Sequence, residues 1–414
     1  MPRVVLTTVG STGDIMPQLA LAQALEARGH SVQVASHEFH APVFEAEDVP
    51  FVAVGAPVTK ADFNRLVDKA ARLSAPLHQF DVLLRGLFLA APERQLSDLE
   101  AAVADADVVV CQRFDYIGQE AAIRRGVPWA SVTLALQLLR TALAPVYPAK
   151  NLGRLINELT WMALEQMAEP MNRHINQVLA GLGAQPRPLQ VAGAQSPYLD
   201  LVPVSPHLSH RRSDWPDSVV MTGAWLRSTP DDYQPEPQLA EFVKTHPLPV
   251  VLTFGSMGGS DPKASADLIL EALVRLGRPA IVQHGYTGLL QQADLPKNVL
   301  AVGPVPHDYL FARAGCVVHH AGAGTSAAVV RAGVPSVPVP HLFDQYYWAG
   351  MLHERGVAPK PVFRHQLDAK KLAELVRAAL HPKIIGKAKQ LAQRVRQDRG
   401  LEVAVERIES LLAD

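Results

Sequence analysis

A short β-branched run at residues 4–8 breaks into Gly10-Ser11-Thr12-Gly13-Asp14, and this junction limits what the chain can fold into. The glycines let the backbone turn tightly out of a strand. Residues 17–28 then place Leu19, Ala22 and Leu25 at helical spacing, with Gly29 as C-cap and a second strand at 31–35. Strand, helix and strand in this order make a βαβ unit, which pairs its strands in parallel under covering helices.

The rhythm continues with strands predicted at 51–54, 108–111, 129–133 and 201–204, and helical regions at 60–104 and 151–182. The apolar, weakly periodic stretch 133–148 suits a substrate pocket. Asp231-Asp232-Tyr233-Gln234-Pro235-Glu236-Pro237 is polar and proline-rich, and 229–249 reads as a linker. Beyond it the βα alternation restarts, with strands at 250–254, 281–283, 299–302, 317–319 and 336–339, a helix at 262–276 and helical material at 368–412. Each half opens with a strand and a Gly-Ser turn, Gly10-Ser11 and Gly255-Ser256. The fold class is therefore α/β, with two Rossmann-like domains, 1–228 and 250–395, facing each other across a cleft.

Composition narrows the function. A chain of 414 residues exceeds one ordinary core. A net charge of −1 disfavours a nucleic-acid partner. Cys111 and Cys316 read as buried thiols, and no His-Glu-x-x-His or close Cys/His cluster offers a metal site. No P-loop is present, and no stretch reaches about 18 uncharged apolar residues, the length of a membrane span. Met1-Pro2-Arg3 runs straight into a strand, leaving no room for a signal peptide, so the cytoplasm is the expected location.

Three constellations carry chemistry. His319-His320-Ala321-Gly322-Ala323-Gly324-Thr325-Ser326 lies between a strand and a helix, where backbone amides can face an anion. Its reading is either an anion cradle, with His320 and Thr325 as added donors, or a tight structural turn. Asp344 and Gln345 follow the next strand and could read neighbouring sugar hydroxyls, or Asp344 could be an N-cap. Asp14, after the first turn, is either an ordinary helix-proximal carboxylate or a general base. The turn lacks the Gly-x-Gly-x-x-Gly spacing and the acid at the end of the second strand that a dinucleotide site requires.

Together Gly10-Ser11-Thr12-Gly13-Asp14-Ile15-Met16-Pro17, Val305-Pro306-His307-Asp308-Tyr309-Leu310-Phe311, His319 through Thr325, and Gly333-Val334-Pro335 with Phe343-Asp344-Gln345 make a wider pattern. It resembles the nucleotide-sugar glycosyltransferases related to sterol glucosyltransferases, macrolide and glycopeptide glycosyltransferases and the rhamnolipid rhamnosyltransferase, along essentially the whole chain. The resemblance implies a two-Rossmann (GT-B) fold, with the acceptor held by the first domain, the donor by the second, and residues 396–414 crossing back to the first. Leu401, Val405, Ile408 and Leu412 give that segment an apolar stripe.

It further implies that His320 and Thr325, with Gly322 and Gly324, hold the donor diphosphate, and that Ser256 contacts it from a second loop. Val305 and the adjacent backbone correspond to a uracil or thymine site, Asp344 and Gln345 to sugar readers, and Asp14 to the catalytic carboxylate. Ala321 departs from a usual glycine, Ala328 from a plant ribose-binding glutamate, and no histidine lies in the first turn. The implied activity is inverting, metal-independent and without cofactor. It moves a hexose from a nucleoside diphosphate sugar, UDP-glucose first, to a hydroxyl of a lipophilic small molecule. Asp14 takes the proton, and the amides at Ser326 and its neighbours receive the diphosphate charge. A dTDP-deoxysugar donor and a catalytically silent partner role are the rivals, and His37 is the substitute base.

Overall fold

Alternating strands and helices resolve into two separate, wholly parallel sheets. The computed structural model describes residues 1–73, 75–191, 193–254, 262–284 and 295–413. Chain contacts divide it into Met1–Trp225 with Arg399–Asp414, and Leu226–Asp398.

In the first unit the strands are β1 (Arg3–Thr7), β2 (Ser31–Ser36), β3 (Phe51–Ala53), β4 (Val108–Gln112), β5 (Trp129–Val132), β6 (Leu199–Val202) and β7 (Val219–Met221). They lie in the order β3-β2-β1-β4-β5-β6-β7. Side chains alternate across a strand, so Val4 and Leu6, Val32 and Val34, and Val108 and Val110 share one face and one core. Ile15, Leu19 and Leu25 of the helix Thr12–Ala27 cover that face, together with Ala404, Val405 and Ile408 of the helix Gly400–Ala413. The chain thus returns to its first core after the second unit is complete.

Among the helices of this unit, two features differ from the sequence expectation. The first helix begins at Thr12, ahead of Pro17. Proline lacks the N–H that would bond the Gly13 carbonyl one turn back, but Gly13 is exposed, so water can take that carbonyl. The described residues of 60–104 form the α-helices Lys60–Ala71, Pro76–Leu83 and Pro92–Ala102, with a π-helical turn Leu84–Phe88 continuing the second, and prolines fix the starts of the last two α-helices.

In the second unit the strands are β8 (Val250–Thr253), β9 (Ala280–Gln283), β10 (Val299–Val302), β11 (Cys316–His319) and β12 (Ser336–Pro338). Their order is β10-β9-β8-β11-β12. Val250, Leu252, Val282, Val318 and Val337 form one core and Val251, Ile281 and Val317 another, because both faces of a parallel sheet are covered. Within the stretch expected to link the units, Pro237–Thr245 is a helix whose Leu239 and Phe242 enter this second core. Among the described residues no helix is long and apolar enough to cross a membrane.

Each sheet reverses strand order once, between β1 and β4 in the first and between β8 and β11 in the second. The carboxyl ends of strands at such a reversal leave a crevice where α/β sheets bind ligands. Asp14 and His320 follow the strands at these two places.

Candidate active site

Ser11 accepts from the Gly13 amide at 3.2 Å and starts the first helix as its N-cap. Asp14 completes a capping box, its Oδ2 accepting from the Ser11 amide at 2.7 Å and from the Ser11 hydroxyl at 3.0 Å. Its Oδ1 accepts from the side-chain amide of Gln112 at 2.6 Å. Burial raises the Asp14 carboxyl to about 6, against the opposing pull of the Ser11 and Gln112 hydrogen bonds. Gly10 has φ +120°, and a Cβ there would lie 2.4 Å from Asp14 Oδ2, so glycine is required twice over. Asp14 is at once a helix cap and a carboxylate poised near neutral pH at the strand reversal.

His37 sits at the neighbouring strand end, 1% exposed and stacked on Phe39, with neither ring nitrogen hydrogen-bonded. Burial lowers it to about 4, so it is neutral at pH 7.

In the second unit the two adjacent histidines take different tasks. His319 is fully buried, and its Nδ1 accepts from the Ala321 amide at 3.1 Å, which leaves Nε2–H to donate to Ser336 at 2.6 Å. This clamp holds Ala321 at φ +63°, a conformation where glycine would be easier. His320 is half-buried, with Nδ1 unpartnered, and burial followed by repulsion from His307 lowers it to about 4. Its neutral imidazole has one N–H to offer.

The helix after this loop is Ala323–Ala332, with Gly322 as an N-cap lacking any side-chain cap. Its first ladder bond runs from the Ser326 amide to the Gly322 carbonyl at 2.9 Å. The Ser326 amide is therefore engaged, and the donors left outside the ladder are those of Ala323, Gly324 and Thr325. A Cβ on Gly324 would meet nothing, whereas one on Gly322 would lie 2.5 Å from His320 Nε2. Gly322 has φ −63°, which any L residue adopts. Gly322→Ala should therefore fold normally but displace the His320 ring. If this loop holds a diphosphate, as the sequence pattern implies, we expect an unchanged melting temperature and a roughly ten- to hundred-fold weaker Kd for it, read by calorimetry, matching about 1.5–3 kcal/mol for one hydrogen bond to a charged group.

Asp344 is the N-cap residue of the helix Gln345–Glu354 by position, yet its carboxylate does not cap. Oδ2 instead accepts from the Trp348 indole at 2.8 Å. Gln345 is buried, and its Oε1 accepts from the His341 and Leu342 amides at 2.8 and 3.0 Å. Both of these bonds engage the amide oxygen, not the amide nitrogen. The preceding Phe343 has φ +47°, a strained conformation of the sort found at ligand loops. The Val305 carbonyl accepts from Gln283 at 3.0 Å, and Gln283 accepts from Thr253 at 2.9 Å, which ties the loop after β10 to the ends of β8 and β9. Ser256 lies outside the described residues.

Sequence reasoning passed over Gln112 and gave His307 and His341 no role of their own. A strand expected to end at Cys111 continues one residue to Gln112, and a polar residue closing an all-apolar run was the available signal. His307 stacks on Phe311 at 4.5 Å and interacts electrostatically with His320, as does His341. Among the described residues no group of three or more His, Cys, Asp or Glu could hold a metal ion.

Residues 4–129 match the glycosyltransferase family 28 N-terminal domain, and residues 267–408 match the erythromycin biosynthesis protein CIII-like C-terminal domain. O-mycaminosyltylonolide 6-deoxyallosyltransferase of Streptomyces fradiae is 30% identical over 98% of this chain and 97% of its own length. Sterol 3-beta-glucosyltransferase UGT80B1 of Arabidopsis thaliana is 27% identical over 98% of this chain and 67% of its own length. The chain spans only 26–34% of the fungal sterol glucosyltransferases it matches. In fold, a Streptomyces sp. SF2575 glycosyltransferase complexed with thymidine diphosphate aligns at TM-score 0.66, covering 99% of this chain and 100% of that one at 21% identity. Two wholly parallel sheets, two matching family models and a relative matched end to end place the chain in one family: it belongs to the GT-B glycosyltransferases that include the sterol and macrolide glycosyltransferases, and is a sugar-transferring enzyme.

Proposed function

We propose that this enzyme moves a hexose from a nucleoside diphosphate sugar, UDP-glucose first, to a hydroxyl of a lipophilic small molecule, with inversion and without a metal ion. The observation that carries this reading is the start of the helix Ala323–Ala332, where three amides outside the ladder adjoin the neutral imidazole of His320. Such a cradle binds a diphosphate through uncharged donors and the helix dipole. The acceptor oxygen attacks the sugar C1 as its proton passes to Asp14, and the C1–O bond to the diphosphate breaks with the electron pair leaving on the nucleotide. The amides of Ala323, Gly324 and Thr325, with His320, the Thr325 hydroxyl and Ser256, take up that charge. Asp344 and Gln345 read the sugar hydroxyls, and the loop at Val305 takes the base.

A dTDP-deoxysugar is the second reading, favoured by the 6-deoxyallosyltransferase relative and by the solved neighbour that holds thymidine diphosphate. Hydrolysis of a panel of UDP- and dTDP-sugars in excess EDTA separates the two without a guess at the acceptor. Turnover of UDP-glucose supports the first, and turnover of dTDP-deoxysugars alone supports the second. Loss of activity on chelation, restored by Mg²⁺, would remove the metal-free assignment. On whichever donor is used, His320→Ala should weaken donor binding and lower turnover by about 1–3 kcal/mol, the worth of a hydrogen bond to a charged partner. Equal donor affinity in wild type and variant would place the diphosphate elsewhere.

A further inference from the structure

We infer that Gln112 is a positioning residue that holds the Asp14 carboxylate so that its Oδ1 atom receives the acceptor's proton. The inference rests on the reading of Asp14 as the base. β4 pairs with β1 so that Thr7 faces Cys111, which sets Gln112 beside the end of β1 at the strand reversal. From there its Nε2 donates to Asp14 Oδ1 at 2.6 Å, across 98 positions of sequence. The helix cap needs no such donor, because Ser11 alone closes the capping box through Oδ2.

A carboxylate has about four lone-pair sites. Oδ2 uses two on Ser11 and Oδ1 one on Gln112, so Oδ1 is the atom left with acceptor capacity toward a substrate. The other end of the amide, Gln112 Oε1, is buried without a partner, an arrangement that costs stability and is unneeded for packing alone. The strand end itself is fixed, with Gln119 donating to the Gln112 and Arg113 carbonyls at 3.3 and 3.2 Å.

Gln112 also adjusts when Asp14 ionises. A donor to the carboxylate favours the charged form and opposes burial. The groups acting on Asp14 are Ser11 and its own backbone amide from its own turn and Gln112 from β4, and no charged side chain shifts it. The nearby His40, bonded to the Gly10 carbonyl at 3.2 Å, is neutral because burial lowers it to about 3. Removing the Gln112 donor must therefore raise the carboxyl and move the acid limb of activity to higher pH.

The test follows hydrolysis of UDP-glucose, or of the dTDP-deoxysugar if only that is turned over, by the full chain across pH, with water in the acceptor's place. Gln112→Met keeps the volume and loses the donor. It should lower kcat at least ten-fold and move the acid limb of kcat/KM up by about one to two pH units, as loss of one hydrogen bond to a charged group predicts. KM and melting temperature should change little. Gln112→Glu, which puts a second carboxylate against the first, should move the limb further in the same direction. On an Asp14→Asn background Gln112→Met should cost nothing more, since the two act as one unit. An unmoved limb, or a further ten-fold loss on that background, overturns the inference while leaving Asp14 as base. Wild-type turnover in Asp14→Asn alone removes the base reading and the inference with it.

Discussion

Asp14→Asn should fold with an almost unchanged melting temperature, bind donor normally and lose roughly 10²–10⁴ in turnover, the usual contribution of a positioned base. Asparagine keeps an oxygen for the Ser11 amide, and the Gln112 amide can turn over to accept from the new NH₂, so the local bonding survives. What disappears is the proton acceptor. An aliphatic alcohol is far too weak an acid for a carboxylate near pKa 6 to deprotonate beforehand, so transfer must accompany C–O bond formation. A phenolic acceptor would depend on it less. Burial raises the carboxyl, so the acid form dominates below about pH 6 and the wild-type rate should fall there while staying level above. The variant should show no such limb. Near-normal turnover with an aliphatic acceptor would shift the role to another group, and His37, neutral and at the adjacent strand end, is the first to test.

The second large effect concerns stability. Deleting residues 399–414 should drop the melting transition of the first unit sharply and leave that of the second in place. The helix Gly400–Ala413 buries Ala404, Val405 and Ile408 in the core beneath β1, β2 and β4. Burying each large aliphatic side chain contributes about 1.5–3 kcal/mol. Val405 and Ile408 together amount to about 3–6 kcal/mol, comparable to the lower end of the roughly 5–15 kcal/mol that typically holds a domain together. Glu409 adds an exposed pair with Arg28 at 2.7 Å and a contact to His30 at 3.1 Å, worth little by themselves. Gly400 fixes the entry, since a Cβ there would lie 2.6 Å from the Ala224 carbonyl. Ile408→Ala is the milder probe, with an expected cost of about 2–5 kcal/mol for a large-to-small core change. Calorimetric transitions identical to wild type in the deletion would show that the helix merely lies on the surface.

The strands were legible because β-branched runs such as Val108-Val109-Val110 need only local pattern, and the strand–helix–strand order pointed to parallel sheets. The strand Val219–Met221 escaped because three residues are too few to show a pattern, although Pro216-Asp217-Ser218 precede it and Gly223 follows. Pro17 misled in the other direction, because a proline near a helix start reads as the first turn unless one sees that Gly13 is exposed. At the site, glycine spacing revealed the turn and singled out His320 as its donor, but not that His319 is clamped between Ser336 and the Ala321 amide. Whether a histidine is clamped by Ser336 or points outward depends on register with β12, which sequence does not contain. Gln112 was hidden for the same reason, as its bond to Asp14 exists only once β4 lies beside β1.

The return of residues 399–413 to the first core also sets an order of events during synthesis. A ribosome makes these residues only after 226–398, so the first unit, although begun first, is finished last. Until then the groove awaiting Ala404, Val405 and Ile408 exposes apolar surface of the kind that aggregates or engages chaperones. A chain broken off anywhere in its second unit therefore leaves its first unit incomplete, and damage late in the message is registered at the opposite end of the protein.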